Sequence, residues 1–137
     1  MTVSRCFNIL VAIFITSFTV MAQEQVGVIK PQLLMQEIVE GMPNGDKQEV
    51  RVLTASFRPN DRTLFHTHRF PVTVYVLEGE FTLEKEGQAP ATVKVGQAMM
   101  MPPQVKMTGY NRSNTEPLRL VIFYVSDPGT PFLDAIH

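Results

Sequence analysis

From residue 47 onward, the chain is a succession of short β-rich runs, each closed by a turn signal. Val72 to Leu77 is the strongest run, because β-branched and aromatic residues fill it. Gly79, Gly96 and Pro102-Pro103 interrupt the pattern. Many short strands at this spacing predict an all-β sandwich or small barrel. Residues 33–40 fit either a strand or a helical turn. The predicted strand runs are Lys47 to Phe57, Val72 to Leu77, Glu80 to Glu84, Ala91 to Val95, Ala98 to Met101 and Leu118 to Val125.

The first 22 residues follow a different pattern. Arg5 gives the short start a positive charge, the stretch from Cys6 to Val20 is mostly apolar, and Ala22 ends a small-residue cleavage pattern. This order is typical of a secretory signal peptide. An uncleaved membrane anchor is disfavoured, because a spanning helix needs about 20 apolar residues. The sequence therefore predicts a signal peptide at 1–22 and one domain at 23–137. That domain would be exported from a bacterial cell, to the periplasm or outside, with no membrane span after cleavage.

Composition excludes several kinds of site. Cys6 is the single cysteine, so an exported domain beginning at residue 23 has no thiol for catalysis, zinc binding or a disulfide. Its stability must come from a packed core. The chain has 12 basic and 13 acidic residues, and no basic patch indicates a nucleic-acid partner.

His66-Thr67-His68 is the chemical centre of the sequence. In a strand, residues two apart point to the same face, so the two imidazoles would converge on one point. Such a pair is a common half of a metal site. An isolated pair of this kind is more often two surface residues on a sheet edge, so its context decides.

The spacing around the pair resembles the cupin superfamily, in its small single-domain form. The first cupin motif runs from a Gly through His-x-His and a Glu to a second Gly. The second motif runs from a Gly through Pro-x-Gly and a His to an Asn. The resemblance covers about residues 47–126 and implies a cupin-type β-barrel, the double-stranded β-helix or jelly roll. The positions that fit are Asn60 in place of the first Gly, His66, His68, Gly79, Gly96, Pro102 and Asn111.

Three motif positions depart from this pattern. The metal-binding Glu falls at Val72, the second-motif Gly at Gln104, and the second-motif His at Met107. Cupins typically hold their metal with three His and one Glu, so the resemblance implies a degenerate site with two imidazoles. His137 is the last residue, and we discount it as a ligand.

Three functions stay open for this site. In the first, His66, His68, Val72 and Met107 form a metal-free pocket for a small molecule, in a binding or sensory module. In the second, the protein is a metal-dependent enzyme, dioxygenase- or isomerase-like, whose Cu, Zn, Mn, Fe or Ni ion completes its coordination with water or substrate.

In the third, His66, His68 and Met107 bind Cu(I), because thioethers are soft ligands. Met more often fills gaps in a core, which is the competing interpretation. The sequence leaves the choice between catalysis and binding open. The resemblance, together with the open sheet edges of a short barrel, also suggests a homodimer.

Overall fold

The structure is a computed structural model that describes residues 27–137. The predicted signal peptide at 1–22 lies outside the described residues. The described residues fall into two units, which meet between Pro31 and Gln32 in the sequence. In the first unit, the described residues 27–31 have no regular secondary structure. Within the described range, no helix has the length and apolar character needed to cross a bilayer.

In residues 27–137, nine strands form two antiparallel sheets, which confirms the all-β prediction. The first sheet has four strands in the order β1-β8-β3-β6, and the second has five in the order β5-β4-β7-β2-β9. The bounds are β1 Glu49–Phe57, β2 His66–Thr67, β3 Val72–Glu78, β4 Glu80–Lys85, β5 Ala91–Lys94, β6 Ala98–Met101, β7 Met107–Tyr110, β8 Leu118–Ser126 and β9 Asp134–Ala135.

Alternating side chains explain why the four-stranded sheet has one core face and one outer face. In β3 and β8 every second residue is buried, as the two-residue period of a strand requires. The buried residues of these strands meet Phe81, Leu83 and Met107 from the five-stranded sheet. The core between the sheets includes Val72, Val74, Val76, Leu118, Leu120, Ile122 and Tyr124.

All six predicted runs form strands, with ends shifted by at most two residues. Residues 33–40 form no regular secondary structure, neither strand nor helical turn. The strands β2, β7 and β9 were not among the predicted runs. β7 contains Gly109, which is a poor strand former, but a Cβ there would lie 2.6 Å from the ring of Phe81. Close packing against the neighbouring strand β4 of the same sheet, rather than local propensity, therefore places this strand.

Two non-glycine residues occupy the left-handed region at motif glycine positions. Asn60 has a φ of 66°, which confirms that Asn substitutes there for a residue with positive φ. Gln104 has a φ of 61° and donates its backbone N–H to the carbonyl of His68 at 2.8 Å. Both substitutions preserve the course of the backbone.

Candidate functional site

The histidine pair lies at β2, a strand of only two residues in the five-stranded sheet. His66 in β2 is paired with Met107 of β7 on one side and with Ala135 of β9 on the other. His68 follows directly after the strand. Both imidazoles are almost completely buried, with 4% and 1% of each residue exposed. They are therefore interior groups and not surface residues of a sheet edge.

Backbone carbonyls fix the orientation of both rings. The Nδ1–H of His66 donates to the carbonyl of Leu64 at 2.6 Å, and that of His68 donates to the carbonyl of Phe132 at 2.6 Å. A carbonyl can only accept, so each Nδ1 carries its proton. The two Nε2 atoms then face each other at 3.1 Å. This confirms the predicted convergence of the imidazoles.

Two Nε2 atoms at this distance need an electron-pair acceptor between them. Each neutral ring with Nδ1 protonated presents a lone pair at Nε2, and two lone pairs repel. A shared proton, a hydrogen-bond donor of a ligand or a metal ion each satisfies both nitrogens. The pair is therefore an acceptor site for one small group.

Burial determines the protonation state of His68. Desolvation, with a smaller contribution from positive charge on the neighbouring His66, lowers the pKa of His68 from 6.5 to about 4. The bond to the Phe132 carbonyl and the negative charge of Asp134 oppose this, but they are the smaller effects. His68 is therefore neutral at pH 7.

The pair forms the polar part of an apolar cavity of about 110 Å³ between the two sheets. Nearly all of the remaining wall is hydrocarbon or aromatic. Aromatic rings from three different regions contribute, since Phe57 lies in β1, Phe81 in β4 and Phe132 near the C-terminus. The lining residues are Ala55, Phe57, Thr63, His66, His68, Val74, Phe81, Leu83, Met101, Gly109, Leu120, Ile122, Phe132 and Leu133.

The C-terminal segment completes this cavity, a role that was not predicted from the sequence. Phe132 and Leu133 form part of the wall, and the ring of Phe132 lies 4.9 Å from that of His68. A two-pronged ion pair between Arg69 and Asp134 holds the segment, and it keeps the pKa of Asp134 below its usual value. The one available sequence signal was the apolar Phe132-Leu133 pair itself.

Val72 and Met107, the other two predicted pocket residues, lie in the core. Both are completely buried, yet neither is among the described residues that line the cavity. Met107 faces His66 across paired strands. The methionine in the cavity wall is Met101, the cross-strand partner of Val72.

The typical cupin metal set does not fit this donor arrangement. In the described part of the chain, no cluster of three or more His, Cys, Asp or Glu side chains could hold an ion. Val72 and Met107 occupy the positions at which a carboxylate and an imidazole would complete the typical cupin metal set. Two imidazoles with free Nε2 atoms remain.

The family follows from this fold and from the sequence pattern. The family model of the cupin domain matches residues 53–124, which is more than half of the chain. The chain is therefore a member of the cupin family. A comparison with curated proteins finds no significant match.

Solved structures support the double-stranded β-helix fold. A cupin-like protein from Thermotoga maritima is 21% identical with a TM-score of 0.55, and 64% of each chain is covered. This chain thus spans less than two thirds of that protein. An RmlC-like cupin with a double-stranded β-helix from Methanocaldococcus jannaschii is 20% identical with a TM-score of 0.51, covering 68% of this chain and 91% of that one.

An enzyme also shares the fold. The DMSP lyase DddQ from Ruegeria pomeroyi is 18% identical with a TM-score of 0.52, covering 60% of this chain and 41% of that one. At these identities the likeness establishes the fold alone.

Proposed function

We propose that this protein is an exported cupin-domain binding protein whose apolar cavity holds one small, mostly apolar molecule. The observation that carries the proposal is the pair of Nε2 atoms 3.1 Å apart at the wall of the cavity. An apolar pocket with a few convergent polar groups is the usual form of a small-molecule site.

The cavity limits the size and chemistry of the ligand. Its volume of about 110 Å³ is well below that of a pocket for a drug-sized molecule, which needs roughly 300 Å³ or more. A dry cavity of about 150 Å³ can hold benzene, so this smaller cavity would have to expand slightly to take a single six-membered ring. Because the Nε2 atoms of His66 and His68 accept hydrogen bonds, the ligand should carry a hydroxyl or N–H donor.

Phenol and toluene are matched probes for this proposal, because they have similar shapes and only phenol donates. We expect His66→Leu to weaken phenol binding about tenfold, the value of one hydrogen bond of about 1–1.5 kcal/mol. Toluene affinity should change less than twofold. Isothermal titration with the folded native and variant proteins measures both.

His137→Leu is the control, since it removes the histidine that lies outside the cavity. It should change neither affinity. Two results would refute the proposal: a native protein that binds neither probe, or a His66→Leu variant that weakens phenol and toluene equally.

A metal site is the second candidate, and the same geometry favours it. Two ligands that each lie about 2.0–2.1 Å from one ion are roughly 2.9–3.4 Å apart. The Nε2 atoms fit this range. Metal-binding histidines also commonly donate the other N–H to a carbonyl, as His66 and His68 do. Dioxygenase- or isomerase-like activity would depend on such an ion.

Titration of Cu(I) without oxygen, and of Zn(II), Mn(II), Fe(II) and Ni(II), tests this candidate. If copper is the ion, Met107→Leu should weaken Cu(I) much more than Zn(II). Met100→Leu is the matched control on the outer face of the sheet. Equal effects of Met107→Leu on both ions would count against a thioether ligand, and absence of saturable binding would exclude the site.

Export rests on the pattern of residues 1–22 and needs its own test. Cleavage after Ala22 predicts a secreted protein that begins at Gln23. N-terminal sequencing of protein from the periplasm and medium of a bacterial host measures this. Uncleaved protein in the membrane fraction would contradict it.

A further inference from the structure

The histidine pair is buried too deeply for a molecule from solvent to reach it directly. Only 4% of His66 and 1% of His68 are exposed, although a cavity lies beside them. A molecule therefore reaches the two Nε2 atoms only when part of the cavity wall moves. The part that moves should be the one with the fewest stabilising contacts, since local opening involves the least stable segments of a fold.

The wall of the cavity consists of strands that differ greatly in how firmly they are held. β1 and β8 have nine residues each and pair along their whole length. β3 is paired on both sides, with β8 and β6. The segment that carries Phe132 and Leu133 differs, because its strand β9 has two residues and pairs on one side only, with β2. This segment should open before the long strands do.

A firmly held turn precedes the segment. Residues 127–130 form the turn, and Arg51 of β1 donates to one of its backbone carbonyls at 2.6 Å. The carboxylate of Glu49, also in β1, accepts a hydrogen bond from a backbone N–H of the turn at 3.0 Å. Side chains of β1 thus fix the turn to the sheet. Residues 131–137, called the strap here, follow this fixed point.

The polar contacts that close the strap lie at its outer side. Asp134 forms the ion pair with Arg69, at 2.9 and 3.0 Å, and the backbone N–H of Ile136 donates to the carbonyl of Phe65 at 2.9 Å. The ion pair is exposed to solvent, and exposed ion pairs contribute little to stability. These contacts can therefore break without loss of the core.

One further contact joins the strap to the site itself. The Nδ1–H of His68 donates to the carbonyl of Phe132 at 2.6 Å, and this bond leaves the Nε2 of His68 bare. The acceptor pair is therefore complete only while the strap is closed. Opening of the strap would admit a molecule, and closing would restore the acceptor that holds it.

We propose that the strap is the entrance to the cavity, and that it opens about the fixed turn at residues 127–130 to admit small molecules to His66 and His68. The proposal rests on the proposed binding function only for the identity of the molecule that enters. Opening itself can be measured with a reagent that reacts with imidazoles.

Acylation by diethyl pyrocarbonate at pH 7 measures this opening in the purified full chain, as the host processes it. The reagent reacts with unprotonated imidazole nitrogens. Trypsin releases residues 63–69, which hold both buried histidines, as one peptide, while His137 lies in another and reports an exposed imidazole. We expect the pair to react at least tenfold more slowly than His137, because only the open form is accessible.

Asp134→Asn removes the ion pair that closes the strap. It should raise the acylation rate of the histidine pair about two- to fivefold, the usual effect of an exposed ion pair, and leave the rate at His137 unchanged. Glu80→Gln is the matched control, since it removes an exposed ion pair with Lys94 elsewhere in the same sheet. It should leave both rates at their native values.

A reversible disulfide tests the strap in the opposite direction. Thr67 and Asp134 are directly paired between β2 and β9, a separation that suits a disulfide. We expect Thr67→Cys/Asp134→Cys, with Cys6→Ser to remove the native thiol, to be acylated at the pair at least tenfold more slowly when oxidised than when reduced. The reduced form has the same sequence and controls for folding.

Low concentrations of urea separate opening of the strap from unfolding of the whole domain. A short segment exposes little surface when it opens. The acylation rate of the pair should therefore be nearly independent of urea below the unfolding transition.

Three results would overturn the proposal. They are a native pair that reacts as fast as His137, equal rates for the oxidised and reduced disulfide variant, and a steep rise of the rate with urea. Phenol binding is judged separately. A native protein that binds no phenol would refute the binding function, whereas the acylation rates test the strap whatever the ligand is.

Discussion

The two motif regions of this domain keep the same kind of backbone but differ in their chemistry. In the first region, Asn60 and Gly79 hold left-handed turns around a strand that presents His66 and His68. In the second, Gly96 and Gln104 hold comparable turns. The side chain at its ligand position, however, is the thioether of Met107, which is buried in the core.

This difference shows that the barrel and its site can change independently. The turns depend on backbone conformation and on close approaches between strands. The ligand set depends on a few side chains that project between the sheets. A member of the family can therefore keep the fold and the first two imidazoles while its site changes from a four-ligand metal centre to an acceptor pair.

We expect the greatest loss of stability from a substitution in the turn that closes the first motif. A Cβ at Gly79 would lie 2.3 Å from the carbonyl oxygen of Pro117, and φ is +77°. We expect Gly79→Ala to destabilise the protein by about 3 kcal/mol or more, because it adds a backbone clash to conformational strain. Urea unfolding measures the change.

Gly96→Ala is the control that separates backbone strain from the clash at Gly79. Gly96 has a similar φ of +80°, but nothing lies within 4 Å of its Cβ position. Strain alone should destabilise by about 1 kcal/mol. Similar losses in the two variants would show that the contact with Pro117 does not matter.

A smaller effect should follow from the burial of His68. Its pKa is about 4 in the folded protein and about 6.5 when exposed. The unfolded chain therefore binds more protons between these values, and stability rises with pH there. We expect a contribution of roughly 2–3 kcal/mol, complete above pH 6.5 and lost as the pH falls towards 4.

Chemical denaturation of native protein and His68→Leu from pH 4.5 to 7 measures this contribution as a difference in slope. His137→Leu should keep the native slope, because His137 is exposed. Identical slopes for native protein and His68→Leu would contradict the burial argument.

The smallest effect is expected at the second-motif turn. Gln104 holds a left-handed conformation that glycine adopts without strain. Gln104→Gly should therefore leave stability unchanged or raise it by about 0.5–1 kcal/mol, since relief of strain exceeds the added freedom of the unfolded chain. A shift of the melting temperature measures it. A loss above 1 kcal/mol would mean that the side chain of Gln104 stabilises the turn.

Much of the fold was predictable from the sequence, because strand alternation and turn residues act locally. Val72–Glu78 and Ala98–Met101 follow from β-branched and apolar content between turn signals. The convergence of His66 and His68 follows from their spacing of two.

The rest of the site depends on contacts between distant parts of the chain. The C-terminal strand reaches β2 only through tertiary pairing, so the apolar Phe132-Leu133 pair gave no local indication of which cavity it lines. Val72 and Met107 are the opposite case, because they were predicted to line the pocket but lie outside its wall. Their motif positions indicated the region, but packing between the sheets decides which side chains line the cavity.

The protons on the two imidazoles decide whether the pair is an acceptor site. A long-range ¹H–¹⁵N correlation spectrum of the histidine rings at pH 7 locates these protons. We expect His66 and His68 both to carry a proton on Nδ1, and at most one proton to be shared between their Nε2 atoms. A neutral ring with its proton on Nε2 and a bare Nδ1 would contradict it, because the hydrogen bonds to the backbone carbonyls would then be absent.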